Sequence, residues 1–88
     1  MTINIADFGD VLVSRPAGRD AFLGASSYLL DGADSTTDFV LDFAGVKVLT
    51  PSWADEFIRG LKETYSSHIS YINTDNESVK ASLDILTA

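Results

Sequence analysis

The stretch "FVLDFAGVKVLTPSWADEFIRGL", Phe39 to Leu61, passes from strand to helix within one run. Its first residues, Phe39 to Phe43, are almost continuously apolar, the pattern of a central strand covered on both sides. "AGV" turns the chain and leads through Lys47 to Leu49. From Ser52 onward Trp53, Ala54, Phe57, Ile58 and Leu61, then Tyr65, recur at helical spacing. Asp55, Glu56, Arg59, Lys62 and Glu63 fall on the outer face. The start of this helix has two readings. With Thr50 as N-cap, Pro51 takes the first helical position, where its missing N–H costs nothing. With Ser52 as N-cap, Asp55 can return a bond to the Ser52 amide. Either way a hydroxyl sits at the positive end of a helix, directly after a strand. That hydroxyl is a helix cap, or it is a phosphorylation site whose phosphate would meet free N–H groups while Asp55 and Glu56 repel it.

Outward from this run, "TINIA" places Ile3 and Ile5 at strand period, "DFGD" carries tight-turn chemistry, and "VLV" is a short apolar strand. Residues 2 to 13 therefore read as a hairpin. Ser14 can cap a helix running to Gly32, with Pro16 in its first turn and Phe22, Leu23, Leu29 and Leu30 on one face. "ADSTTD" is a polar loop. "HISYIN", His68 to Asn73, is another strand, and Thr74 with Glu77 forms a capping-box pattern before the stripe Val79, Leu83 and Leu86. Asn73 is placed to link strand and helix by backbone bonds. The fold class expected is α/β: a single domain over residues 1–88, with a small mixed four-stranded sheet (β-β-α-β-α-β-α) and three helices.

Thirteen acidic against six basic residues give a net charge of −7, which argues against a nucleic-acid binder and favours a partner with a basic docking surface. The chain has no cysteine and one histidine, His68, so neither disulfides nor a metal site are expected, and no cofactor. No basic segment leads into an apolar run at the start, and the most apolar window is far too short for a membrane span, so a cytoplasmic protein is expected. No nucleophile–base–orienter set or phosphate loop is present, so no enzyme is expected. Asp55 and Glu56, adjacent on a helix, point about 100° apart and do not converge as a catalytic pair must. Arg15, at a helix N-terminus, opposes the dipole and points to an outside or cross-fold partner such as Asp42 or Asp55.

The same run resembles the strand–turn–helix signature of the compact prokaryotic STAS-like domain family of unknown function. The matching positions are Asp42, Phe43, Gly45, Val46, Ser52, Trp53, Ala54, Asp55 and Glu56; "LVSRPAGRDAF" and "INTDNESV" extend the similarity over nearly the whole chain. The wider STAS superfamily, with its anti-sigma-factor antagonists, implies a small α/β domain that binds partners and catalyses nothing. In antagonists a serine at the start of the helix after the third strand is phosphorylated by a kinase with an ATPase-type fold, and Ser52 occupies that position. The antagonist pattern Asp-Ser-Ser-Gly is replaced here by Thr50, Pro51, Ser52 and Trp53.

The resemblance thus implies a regulatory module, whatever its oligomeric state. It would present Thr50, Ser52, Asp55, Glu56 and Arg59 to an ATP-binding kinase-like or anti-sigma-type protein, with Arg15, Asp42, Gly45 and Trp53 as structural motif residues. A constitutive adaptor or oligomerisation domain with Ser52 as a helix cap is the alternative, and a small hydrolase using Asp55 or Glu56 a third.

Overall fold

A computed structural model describes residues 1–28, 31–65 and 68–87. Strand β1 (Thr2–Asn4) runs into a 3-10 turn (Ile5–Phe8), then β2 (Val11–Leu12) and helix α1 (Arg15–Tyr28). Strands β3 (Phe39–Asp42) and β4 (Val48–Leu49) lead into α2 (Pro51–Tyr65), followed by β5 (Ile69–Ile72) and α3 (Glu77–Thr87).

The expected hairpin and mixed four-stranded sheet are not what forms. The described strands make a three-stranded parallel sheet, β1-β3-β5, and a two-stranded parallel pair, β2-β4. The turn chemistry of "DFGD" closes the 3-10 turn, where the Gly9 amide bonds the Ala6 carbonyl at 3.0 Å, instead of reversing the chain. Both segments are strand, turn, strand: Ile3 pairs with Leu41 before the turns, and Leu12 pairs with Leu49 after them. A period-2 pattern reports which face is buried and is silent about which strand lies alongside, so the partner was not legible.

The turn after β3 explains two of the motif residues. Asp42 Oδ1 accepts the Ala44 amide at 2.9 Å and the Asn73 side-chain amide at 2.9 Å, tying the turn to the end of β5. Both bonds favour the carboxylate, the Asn73 bond most, so the Asp42 pKa lies below its ordinary value. Gly45 has φ +87°, and a Cβ there would stand 3.3 Å from that of Ala6 in the opposing turn. Asn73, at φ 55°, thus reaches Asp42 with its side chain, where backbone bonds had been expected.

The core is one cluster in which Phe39, Leu41, Phe57, Leu61 and Val79 are at most 1 % exposed. β3 is central as expected, but only one of its faces is fully covered: Val40 and Asp42 are half-buried. On α2 the stripe Trp53, Ala54, Phe57, Ile58 and Leu61 is buried as its spacing predicts. On α1 Phe22 is buried and Leu23 exposed; Leu29 and Leu30 lie outside the described residues. The helix expected to run to Gly32 is described as far as Tyr28, and Gly32 itself, with φ +81°, has a left-handed backbone. The helices α1 and α2 touch closely because two positions lack side chains. A Cβ on Gly18 would be 2.5 Å from the Trp53 carbonyl oxygen, and one on Gly60 would be 2.7 Å from the Phe22 ring.

α3 covers β4 from the side away from β2. Ser78 Oγ accepts the Leu49 amide and donates to the Leu49 carbonyl, each at 2.9 Å, and buried Ser82 donates to the same carbonyl at 2.7 Å. Two serines thereby do what a neighbouring strand would do for an edge. The cap of α3 is Asn76, whose Oδ1 accepts the Val79 amide at 3.1 Å, and not the Thr74–Glu77 box.

Candidate functional site

The β2-β4 pair is parallel and a helix follows each strand, so α1 and α2 both begin at its carboxyl end. Ser14 caps α1 as expected, its Oγ accepting the Ala17 amide at 3.1 Å. Thr50 caps α2: its Oγ1 accepts the Trp53 amide at 3.3 Å and its carbonyl takes the Ala54 amide at 3.1 Å, with Pro51 first in the helix. The Thr50 hydroxyl also donates to the Val13 carbonyl at 2.6 Å, and the Thr50 amide bonds the Leu12 carbonyl at 3.0 Å. This decides between the two readings of the helix start. A threonine can give one bond across to β2 and receive one from its own helix; Ser52, one position inside the helix, is no cap.

Asp55 therefore does not close a capping box. It meets Arg15, whose Nη1 lies 2.8 Å from Asp55 Oδ2 and 3.0 Å from Glu56 Oε1. Arg59 Nη2 meets the same two oxygens, at 3.4 Å and 3.0 Å. Of the partners expected for Arg15, Asp55 is found and Asp42 is not. The adjacent carboxylates converge after all, because the arginine reaches them from the neighbouring helix. Hydrogen bonds to Asp55 and then to Glu56 raise the Arg15 pKa above its ordinary value. Glu56, with 14 % of its side chain exposed, is the most covered of the four, and its Arg partners belong to this chain. The cluster also resolves a dipole conflict: a cation in the first turn of α1 is unfavourable alone, and two anions near the start of α2 offset it.

Trp53 is 2 % exposed, stacks on Phe57 at 5.3 Å and lies against Phe8, so it belongs to the core. Ser52 is half-buried, and its hydroxyl makes no hydrogen bond among the described residues. A groove of about 300 Å³ between α1 and α2 is edged by Arg19 and Arg59 against Glu56 and Glu63, with Phe22 beneath. Among the described residues no three His, Asp or Glu side chains gather as metal ligands do. No helix among them is long and apolar enough to cross a membrane.

The sequence placed Thr50, Ser52, Asp55, Glu56 and Arg59 at the corner offered to a partner and gave Arg15 either Asp42 or Asp55 as a mate; the structure sets Arg15 and Arg59 together against Asp55 and Glu56. It did not see Arg59 and Glu56 as members of one ion cluster, although their i,i+3 spacing was the available signal. It also passed over Ser78 and Ser82. A serine in phase with the apolar stripe Val79, Leu83 and Leu86 was the mark of a buried hydroxyl needing an acceptor.

These features define a small α/β domain of three helices and five described strands in two parallel sheets, with paired helix starts at one end. The chain belongs to the family described as STAS-like domain of unknown function (DUF4325), whose model matches residues 29–79, more than half its length. Asp42, Gly45 and the Thr50–Glu56 corner all lie within that span; Arg15 lies before it. No curated protein and no solved structure matches the chain.

Proposed function

We propose that this domain is a non-catalytic regulatory module that binds another protein through the β4–α2 corner, with phosphorylation of Ser52 as its switch. The observation that carries the reading is a contrast within the corner. Thr50 is spent on capping, Trp53 and Ala54 on the core, and Asp55 and Glu56 on Arg15 and Arg59. Among the described residues the Ser52 hydroxyl alone of these has no hydrogen-bond partner. Because Thr50 is the cap, the alternative in which Ser52 serves only as a cap loses its physical basis.

The partner, following the STAS-like resemblance, is an ATP-binding kinase-like or anti-sigma-type protein. It would pass the γ-phosphoryl group of ATP to Ser52 Oγ, releasing ADP and taking up the hydroxyl proton. A phosphate there stands three and four residues before Asp55 and Glu56, on the same helix face. It adds negative charge to two carboxylates already sharing two arginines, and so loosens the cluster and changes the surface a partner meets.

The test uses protein purified from its own cells, with intact mass and peptide mapping at Ser52, beside wild-type, Ser52→Ala and Ser52→Asp baits. A phosphate at Ser52, and a partner held by wild type and Ser52→Ala but lost on folded Ser52→Asp, are the expected results. An unmodified Ser52 and identical partners on all three baits would sink the switch.

A further inference from the structure

The face of β2-β4 that precedes the corner carries three exposed valines. Val11 and Val48 are direct cross-strand neighbours, 55 % and 38 % exposed, and Val13, 47 % exposed, follows just after β2, two residues on from Val11. The alternate residues, Leu12 and Leu49, point into the core at 4 % and 3 %. Single exposed apolar residues are ordinary; here two face each other across the strand pair and a third follows directly after β2. The patch runs into the corner: Val48 leads to Thr50 and Ser52, and the Thr50 hydroxyl is bonded to the Val13 carbonyl.

We infer that the face formed by Val11, Val13 and Val48 is where the partner docks, and that the partner offers apolar side chains rimmed by Lys or Arg. The charge at its border selects that occupant. Asp10 (side chain 56 % exposed) pairs with Lys47 at 3.6 Å beside Val48. The Asn76 side-chain amide bonds the Lys47 carbonyl at 3.1 Å, and its chain neighbours Asp75 and Glu77 are both exposed. Asp10, Asp75 and Glu77 thus stand against Lys47 and the exposed Lys80 of the same turn, a border that stays net acidic. A second copy is a poor occupant, since a two-fold contact would set these acidic rims face to face on chains of net charge −7. The inference rests on the binding-module reading and adds the surface and the chemistry of the partner.

The experiment places a photo-crosslinking amino acid at position 48 in the native cells to obtain the partner, then measures affinity with the purified pair. Threonine matches valine in shape and β-branching, so a Val11→Thr/Val48→Thr double variant keeps the fold, as circular dichroism will verify. The expected result is binding weakened about tenfold or more by this variant, falling further as salt is added, and unchanged by Tyr28→Ser at the far end of α1. If no adduct forms, or the valine variant binds like wild type, the docking surface is wrong. Binding lost with Ser52→Asp but indifferent to the valines overturns the surface and leaves the switch. Binding lost with the valines but indifferent to Ser52→Asp keeps the surface and removes the switch. A wild-type dimer in sedimentation that Val48→Thr abolishes would overturn the inference in favour of a second copy.

Discussion

Gly18 and Gly24 lie on the same helix, and replacing each by alanine should move stability in opposite directions. Alanine in place of glycine in a helix interior gains roughly 1 kcal/mol of propensity. At Gly24 nothing stands within 4 Å of the added Cβ, so the gain is realised. At Gly18 the new carbon would lie 2.5 Å from the Trp53 carbonyl oxygen and 2.9 Å from its Cα, both main-chain atoms that cannot rotate aside. Restoring ordinary contact requires α1 and α2 to part by about 1 Å, which forfeits a quarter to a half of the dispersion energy along the opened seam. Overpacking of this kind costs about 1–3 kcal/mol, and backbone obstruction places it near the upper end. The net effect is a loss of about 2 kcal/mol for Gly18→Ala and a gain of about 0.5–1 kcal/mol for Gly24→Ala. In a domain of this size those figures correspond to a midpoint about 10 °C lower and roughly 4 °C higher. Trp53 is the only tryptophan, so urea unfolding followed by its fluorescence reads the seam directly. If Gly18→Ala proves as stable as wild type, the close helix approach is wrong, and with it the route by which Arg15 reaches Asp55.

Three other expectations follow from single bonds. Thr50→Ala loses the cap of α2 and the bond to Val13, and should cost about 1–2 kcal/mol in urea unfolding; Ser52→Ala should stay within about 0.5 kcal/mol, and the reverse order would reinstate Ser52 as the cap. Ser78→Ala should destabilise more than Ser82→Ala although Ser82 is the more buried, because it strands the Leu49 amide while either variant leaves the Leu49 carbonyl one donor. Asn73→Gly keeps the left-handed backbone but removes the stronger cause of the lowered Asp42 pKa, so that pKa should rise in an NMR titration, the Ala44 amide retaining part of the shift. A depressed carboxylate pKa adds stability above the unfolded value that disappears as pH falls through the folded one; Asn73→Gly should thus weaken the fold at neutral pH and lose less on acidification.

How much of this was legible follows from what each signal encodes. Helical spacing in α2 reports burial directly, because every apolar residue from Trp53 to Leu61 answers to one core. Parallel or antiparallel pairing depends on where distant segments meet, so "TINIADFGDVLV" looked like a hairpin when its partners were β3 and β4. The glycine in that turn was read correctly as a turn residue and wrongly as a reversal. Caps were half-legible. Ser14 had no competitor, whereas Thr50 against Ser52 and Thr74 against Asn76 could be separated only by knowing where the helix axis points. Arg15 was legible as a conflict needing an acid, since dipole and charge are local facts; which acids answered it depended on the α1–α2 seam that Gly18 permits.

That seam gives the corner its division of labour. Arg15 and Arg59 share Asp55 and Glu56, so these charges, which on an isolated helix would be free to meet a partner, are first of all committed to joining α1 to α2. Thr50 is committed in the same way to joining β4 and α2 to β2. A partner that bound by pulling on any of these would have to replace an internal bond with one of its own, at little net gain. The valine face offers apolar area with no bond to break, and the Ser52 hydroxyl makes no hydrogen bond among the described residues. On the proposed reading, affinity and switching therefore fall to different residues. On that reading a charge introduced at Ser52 acts on the Arg15–Asp55–Glu56–Arg59 cluster while valine substitutions act on the docking face, so the proposed switch and the proposed surface are separable by mutation.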